Sequence, residues 1–196
     1  MTGRAHSPLA LVVLALLAEA PMHPYRMQQL IKERGKDQIA NVAQRNSVYQ
    51  TIGRLERAGL IAVRETAREE GRPERTVYEI TDAGRATFTS WVRTMLSARA
   101  REFPEFPAAL SVLMLLEPED VLRQLETRAG ALEAELASSG AEIPAGLPRL
   151  FLLDDEYRDA VTRAELRWVR SVIDDLRSGR LTWNEELLRR YGEPGS

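Results

Sequence analysis

The chain has 196 residues, no cysteine and a formal charge of −2, which suits one large or two small domains and leaves no disulfide framework, thiolate metal site or cysteine nucleophile. So small a net charge excludes a generic polycation held to nucleic acid by bulk attraction, yet the charge is unevenly spread. Residues 1–90 hold 13 Lys/Arg against 10 Asp/Glu, a net of +3, and residues 91–196 hold 14 against 19, a net of −5. A modestly basic front half and an acidic back half fit a reader domain attached to an assembly domain.

In chain order, Ser7-Pro8 is a helix-start signal, and the apolar run Leu9 to Leu17 behind it predicts a short buried helix. Arg4, this run and Ala18-Glu19-Ala20 together imitate a signal peptide with its cleavage site. The run is of signal length and too short to span a bilayer; against cleavage, Pro8 abuts it and Arg4 is the one fixed charge before it. The expectation is a helix that stays in the fold, and a cytoplasmic protein. Pro24-Tyr25-Arg26-Met27 opens a second helix with Tyr25 or Met27, Leu30 and Ile31 inward, ending near Gly35. A polar stretch, Lys36 to Gln44, leads to a third helix beginning near Asn46, for which Gly59 is placed as the C-terminal cap. Leu60 to Val63 reads as a strand, Arg68 to Arg75 with Gly71 and Pro73 as a turn, and Val77, Tyr78 and Ile80 as the return strand. Thr81-Asp82-Ala83-Gly84 starts another helix.

On a helical wheel at about 100° per residue, Val48, Ile52 and Leu55 of the third helix share one stripe, with Ala58 at its margin. Asn46, Ser47, Gln50, Gly53, Arg54 and Arg57 fall opposite, while Glu56 lies off to the flank. A solvated helix usually mixes acids and bases on its outer face. Here that face carries amides, a hydroxyl, a glycine and two arginines, the groups that read adenine and guanine edges or grip phosphate. The pattern is a recognition helix followed by a wing, so the front half reads as a winged helix-turn-helix for double-stranded DNA.

Three blocks then resemble those of the PadR-type transcriptional regulators: Pro24-Tyr25; Ser47-Val48-Tyr49 followed by Arg54-Leu55-Glu56-Arg57-Ala58-Gly59-Leu60-Ile61; and Gly71-Arg72-Pro73 leading to Tyr78-Glu79-Ile80-Thr81. They cover roughly the first ninety residues. Each block recurs elsewhere, and their order and spacing together carry the likeness. Gln50 stands where the family often has proline, Gly53 is unusual in a recognition helix, and Glu74 dilutes a wing tip that is commonly more basic. The resemblance implies C-terminal helices that dimerise and set the spacing of two wings. It also implies a response to small aromatic or drug-like effectors near the junction of two domains, for which Trp91 is the nominated aromatic.

The second half reads as helical. Phe103 to Pro107 interrupts the chain, and Ala108 to Leu116 predicts a strongly apolar helix. Pro118 with Glu119 and Asp120 starts another, with acids at the positive end of its dipole and an apolar stripe of Val121, Leu122, Leu125, Ala129, Leu132 and Leu136. Ser138 to Pro148 is a loop. A long helix from about Arg149 to Leu176 carries Leu150, Leu153, Tyr157, Val161, Ala164, Trp168, Val172 and Leu176 as a seam, either an ordinary core or a surface for a second copy. Gly179 closes it, and Trp183, Leu187 and Leu188 suggest a short last helix.

Enzyme readings fare poorly. His6 and His23 are the only histidines, and neither has a partner at metal-ligand spacing. Asp154-Asp155-Glu156 points three carboxylates in different directions along a helix. Gly71-Arg72-Pro73 lacks the glycine-lysine pattern of a phosphate loop.

The expected architecture is mostly α with a small β-hairpin, a winged helix-turn-helix over 1–88 and an α-helical dimerisation domain over 89–196, with no metal and no cofactor. The expected function is a homodimeric repressor on a pseudo-palindromic operator. Asn46, Ser47, Gln50 and Arg54 would face base edges. Tyr25, Tyr49 and Arg57 would hold phosphate, and Arg68, Arg72 and Arg75 would touch backbone or minor groove from the wing. The seam Leu150, Leu153, Tyr157, Val161, Ala164, Trp168 and Val172 would join the two copies. The competing reading, favoured by Gly53, Glu74 and the weak net charge, is a protein-interaction adaptor on a degenerate winged domain.

Overall fold

A computed structural model describes residues 7–36, 46–67, 75–99, 103–139 and 146–192. The chain divides into two compact units, Met1–Arg101 and Glu102–Ser196. That division falls later than residue 88, and Phe88 and Trp91 of the helix that follows the wing pack on the core of the first unit.

The first unit holds α1 (Pro8–Glu19), α2 (Pro24–Glu33), α3 (Asn46–Arg57), β1 (Ile61–Ala67), β2 (Arg75–Ile80) and α4 (Asp82–Ser97). Ser7 caps α1, its side chain accepting from the Ala10 N–H, with Pro8 in the first turn where a missing N–H costs nothing. α1 is apolar nearly all round and is buried accordingly. Leu9, Ala10, Val13, Leu14, Leu16 and Leu17 meet Met27 and Ile31 of α2, Val48, Ile52 and Leu55 of α3, and Ile61 and Ile80 of the hairpin. Of the two candidates in α2, Met27 is the one turned inward and Tyr25 is exposed. Arg34, just past α2, donates two hydrogen bonds to Glu19 at the end of α1 (2.7 and 2.8 Å). That contact holds the Glu19 carboxyl below the usual carboxylate range.

β1 and β2 pair antiparallel from Ile61 opposite Ile80 to Ala67 opposite Arg75, with a shift between Val63 and Glu65 that leaves Arg64 as the extra residue of a bulge. A third segment joins at Met22, which exchanges two backbone hydrogen bonds with Tyr78, both 3.1 Å.

The turn after α3 meets the start of α4. Gly59 has φ +70, the left-handed conformation that ends a helix at low cost when there is no Cβ, and the Leu60 N–H reaches back to the Leu55 carbonyl at 3.0 Å. Thr81 donates its hydroxyl to the Gly59 carbonyl (2.8 Å), and the same oxygen accepts from the Gly84 N–H (3.0 Å), capping α4. Gly84 is buried against this turn. A Cβ there would stand 2.0 Å from the Leu60 carbonyl oxygen and 2.8 Å from Ile80 Cγ1, so only hydrogen fits.

The second unit holds α5 (Glu105–Leu110), a 3-10 turn (Leu113–Leu115), α6 (Pro118–Ser138), a 3-10 turn (Arg149–Leu152), α7 (Leu153–Arg177) and α8 (Glu185–Gly192). The apolar helix expected over Ala108 to Leu116 is a shorter one that starts earlier and stops at Ser111. Pro107 sits in its first turn, where proline is tolerated. No element covers the rest on all sides, so Val112, Leu115 and Leu116 are exposed. The core lies between α6 and α7: Val121, Leu125, Ala129 and Leu132 pack on Leu166, Val169 and Ile173. Trp183 packs on the same core, its indole N–H donating to the Leu116 carbonyl at 2.9 Å. Ion pairs flank the antiparallel helices, Arg177 to Glu126 (2.7 Å), Arg170 to Glu133 (2.8 Å) and Arg128 to Glu165 (2.5 Å). Exposed pairs of this kind contribute at most about 1 kcal/mol each, so they set register more than stability.

The inward stripe of α7 differs from the sequence expectation. Thr162, Leu166, Val169 and Ile173 are buried, and Leu150, Leu153, Tyr157, Val161, Ala164 and Trp168 are exposed. At about 100° per residue the two stripes are centred roughly 150° apart. A threonine within the buried stripe broke its apolar pattern, while the outer one reads cleanly.

Replacing Gly84 by alanine is expected to destabilise the first unit by at least about 1–3 kcal/mol, the usual cost of overpacking, because the obstructing atom is backbone and cannot swing away. Urea denaturation beside the parent measures it, and an unchanged midpoint would show that α4 can shift away from the turn.

Candidate nucleic-acid interface

α3 separates its two faces sharply. Val48, Thr51, Ile52 and Leu55 are buried, and Tyr49, Gln50, Arg54, Glu56 and Arg57 are exposed. Gln50, Gly53, Arg54, Glu56 and Arg57 line a shallow groove along the outer face. Arg54 and Arg57 occupy the last turn, where cations complement the helix dipole. Ser47 is half-buried at the edge of the face, and Asn46 begins the helix with its side chain outside the described residues.

Thr51 is the residue on this helix that sequence reasoning missed. Its hydroxyl accepts from the Arg54 guanidinium at 2.9 Å, so this exposed side chain is steadied from the buried side of its own helix. The inward position of Thr51 was readable on the wheel, between Val48 and Leu55, had polarity not been taken to mean exposure. Burial first, and the Glu56 carboxylate second, push the Tyr78 phenol above its ordinary range.

Tyr25 and Tyr49 lie outside the core, 58% and 52% exposed. Tyr25 stands in the first turn of α2, its ring near-parallel to that of His23 with centroids 6.1 Å apart. His23 caps the helix, Nδ1 accepting from the Arg26 N–H at 3.3 Å. His23, Arg26, Arg64 and Val77 line a second shallow hollow beside the hairpin root. Arg26 is beside His23 by its place in the first turn of α2, whereas Arg64 is brought there by the fold alone. On the wing, Arg68 and Arg72 lie outside the described residues. Arg75 opens β2 with its side chain likewise outside them.

Trp91 of α4 is half-buried and packs against the core of the first unit, as an ordinary core aromatic would. In the second unit, the ring of Trp168 meets Phe106 edge-on at 6.0 Å, and the Arg128 guanidinium lies 3.6 Å over the same Phe106 ring. Val172 and Leu176, by contrast with the exposed part of the expected seam, pack against the intrachain core. The carboxylates of residues 154–156 form no cluster: Asp155 pairs with Arg158 at 2.6 Å and Glu156 with Arg149 at 2.9 Å. Among the described residues no three His, Asp or Glu side chains gather as a metal site would require, and no helix is long and apolar enough to cross a membrane.

A three-helix core, a hairpin and an outward helix of amides and cations define a winged helix-turn-helix. Residues 13–90 match the family model for the transcriptional regulator PadR-like family. Over those residues the winged unit is similar to PadR-like domains. Most of the chain shares the fold of solved PadR structures. The crystal structure of Bacillus subtilis PadR in complex with operator DNA aligns at 17% identity and a TM-score of 0.63, over 86% of this chain and 98% of that one. The PadR-like regulator BC1756 from Bacillus cereus aligns at 18% and 0.60, over 89% and 99%. Bacillus subtilis PadR in complex with p-coumaric acid aligns at 17% and 0.56, over 86% and 98%. No curated protein matches the sequence.

Within the winged unit, Arg54→Ala is expected to lower stability by no more than about 0.5–1.5 kcal/mol, the worth of one hydrogen bond, by stripping Thr51 of its donor. Leu55→Ala should cost about 2–5 kcal/mol by opening a cavity. Chemical denaturation of both variants checks the polarity of the helix, and equal losses would mean that Arg54 has a structural role larger than this contact.

Proposed function

We propose that this protein is a DNA-binding transcriptional regulator that acts as a homodimer on a pseudo-palindromic operator, as a repressor released by a small-molecule effector. The observation that carries the DNA reading is the outer face of α3: exposed Gln50, Arg54 and Arg57 on a helix whose other face is core. Asn46, Ser47, Gln50 and Arg54 address base edges, and Tyr25, Tyr49 and Arg57 address phosphates. Arg68, Arg72 and Arg75 of the wing bind backbone or minor groove. The Bacillus subtilis structure bound to operator DNA supports this reading.

Homodimerisation rests on α7. Leu150 is 72% exposed, Tyr157 73% and Trp168 45%. With Leu153, Val161 and Ala164 they form a largely exposed stripe, on which Phe106 meets the edge of Trp168, and such a stripe suits an oligomer seam. Small Ala164 beside large Trp168 allows close approach of a second helix. A two-fold axis would present two recognition helices about one DNA turn, roughly 34 Å, apart. The effector is a small planar aromatic, by analogy with the Bacillus subtilis protein bound to p-coumaric acid, and Trp91 is the indole nominated to report it. A cytoplasmic location belongs to the same proposal.

Two measurements test it. Affinity for genomic DNA fragments should fall steeply with salt, log K declining by about 0.9 per phosphate contacted for each decade of salt; a flat response would favour the protein-interaction adaptor instead. Trp168→Glu should sediment as a folded monomer and bind a two-half-site operator far more weakly than the parent. A variant that stays dimeric and DNA-competent would move the interface off α7.

A further inference from the structure

The structure gives three kinds of reason for a glycine, and Gly53 satisfies none of the internal ones. Gly59 and Gly179 take positive φ at helix ends, and Gly53 does not. Gly84 is held where a Cβ would collide with backbone. Around Gly53, nothing among the described residues lies within 4 Å of the place a Cβ would occupy. A mid-helix glycine also weakens the helix that carries it, since its backbone loses more freedom on folding than that of any other residue. Gly130 in α6 is equally open, so an open glycine is not by itself informative. What sets Gly53 apart is its surroundings: it lies one turn from Gln50 and one turn from Arg57, in the groove that Gln50, Arg54, Glu56 and Arg57 line.

We propose that Gly53 is a specificity-determining position of the reading helix. Its bare Cα surface is the part of α3 that meets a base-pair edge of the operator directly, letting the helix axis sit deep enough for Gln50, Arg54 and Arg57 to reach their partners. The side chains on either side then act as walls, and the missing side chain as the floor. This rests on the DNA reading of α3. It predicts a reversed sign between stability and recognition: a side chain here strengthens the isolated helix and spoils the fit.

The test uses the full-length protein and an operator duplex selected by the parent from genomic fragments. Titrations of Gly53→Ala, Gly53→Gln and Gly130→Ala are run on that duplex and on a scrambled one. Gly53→Ala should raise the melting midpoint of the winged unit by about 4–8 °C. It should weaken operator binding by about tenfold or more, the scale of a spoiled base contact, and leave scrambled-duplex affinity unchanged. Gly53→Gln should weaken it further. Gly130→Ala should stabilise comparably without loss of operator binding. A Gly53→Ala protein that binds operator as the parent does overturns the inference, as does an equal loss on both duplexes or an equal loss in Gly130→Ala. A parent that shows no preference for any selected duplex sinks the DNA reading instead, and the two failures are therefore distinct.

Discussion

The winged unit is held in shape by one crossing, where the start of α4 passes over the turn that ends α3. Four element ends meet within a few residues there. The Gly59 carbonyl takes the Thr81 hydroxyl, the Leu60 carbonyl takes the Thr81 N–H at 3.1 Å, and Gly84 lies flush on the Leu60 oxygen. These contacts fix where the start of α4 meets the turn after α3, because the nearest obstructing atom is backbone and cannot swing aside as a side chain can.

α7 poses a different physical problem, that of a helix with two apolar faces. One face closes the second unit's core against α6, and the ion pairs of Arg128, Arg170 and Arg177 run beside it. The other carries two aromatic rings and several aliphatic side chains into solvent. Leaving such a stripe wet forgoes roughly 25 cal/mol for each Å² that a partner could remove from water. Under the proposed homodimer, folding and association would use different sides of one helix, since the second unit's own core is already closed between α6 and α7.

Much of this was legible in the sequence, and the failures share a cause. The order of elements, the caps at Ser7 and Thr81, the helix end at Gly59 and the polarity of α3 depend on local chemistry, which a sequence displays directly. Thr51 and Thr162 were hidden because burial was inferred from apolarity, and both are buried hydroxyl-bearing residues. The inner stripe of α7 was missed because the outer one is the more apolar in pattern, and periodicity alone does not say which face meets the chain's own core. Gly84 was seen as part of a cap, since a clash with a carbonyl two strands earlier in the chain is a tertiary fact. The bulge at Arg64 left no mark in composition, and the helix expected through Leu116 failed for want of a neighbour to cover it.

The bridge between Met22 and Tyr78 bears on how such a domain can vary. A two-stranded ribbon alone is marginal in water, yet here the return strand has a third neighbour at Tyr78, directly across from Val63 and just before the bulge. Inside that row the hairpin belongs to the cooperative core through Ile61 and Ile80. Beyond it, Glu65 with Val77 and Thr66 with Thr76 are joined by the ladder. The reach of the wing and the stability of the domain are thus separable quantities. Residues can be gained or lost past Arg64 without the helices having to be repacked, so a lineage could lengthen or shorten its wing to suit a new operator while keeping the same scaffold.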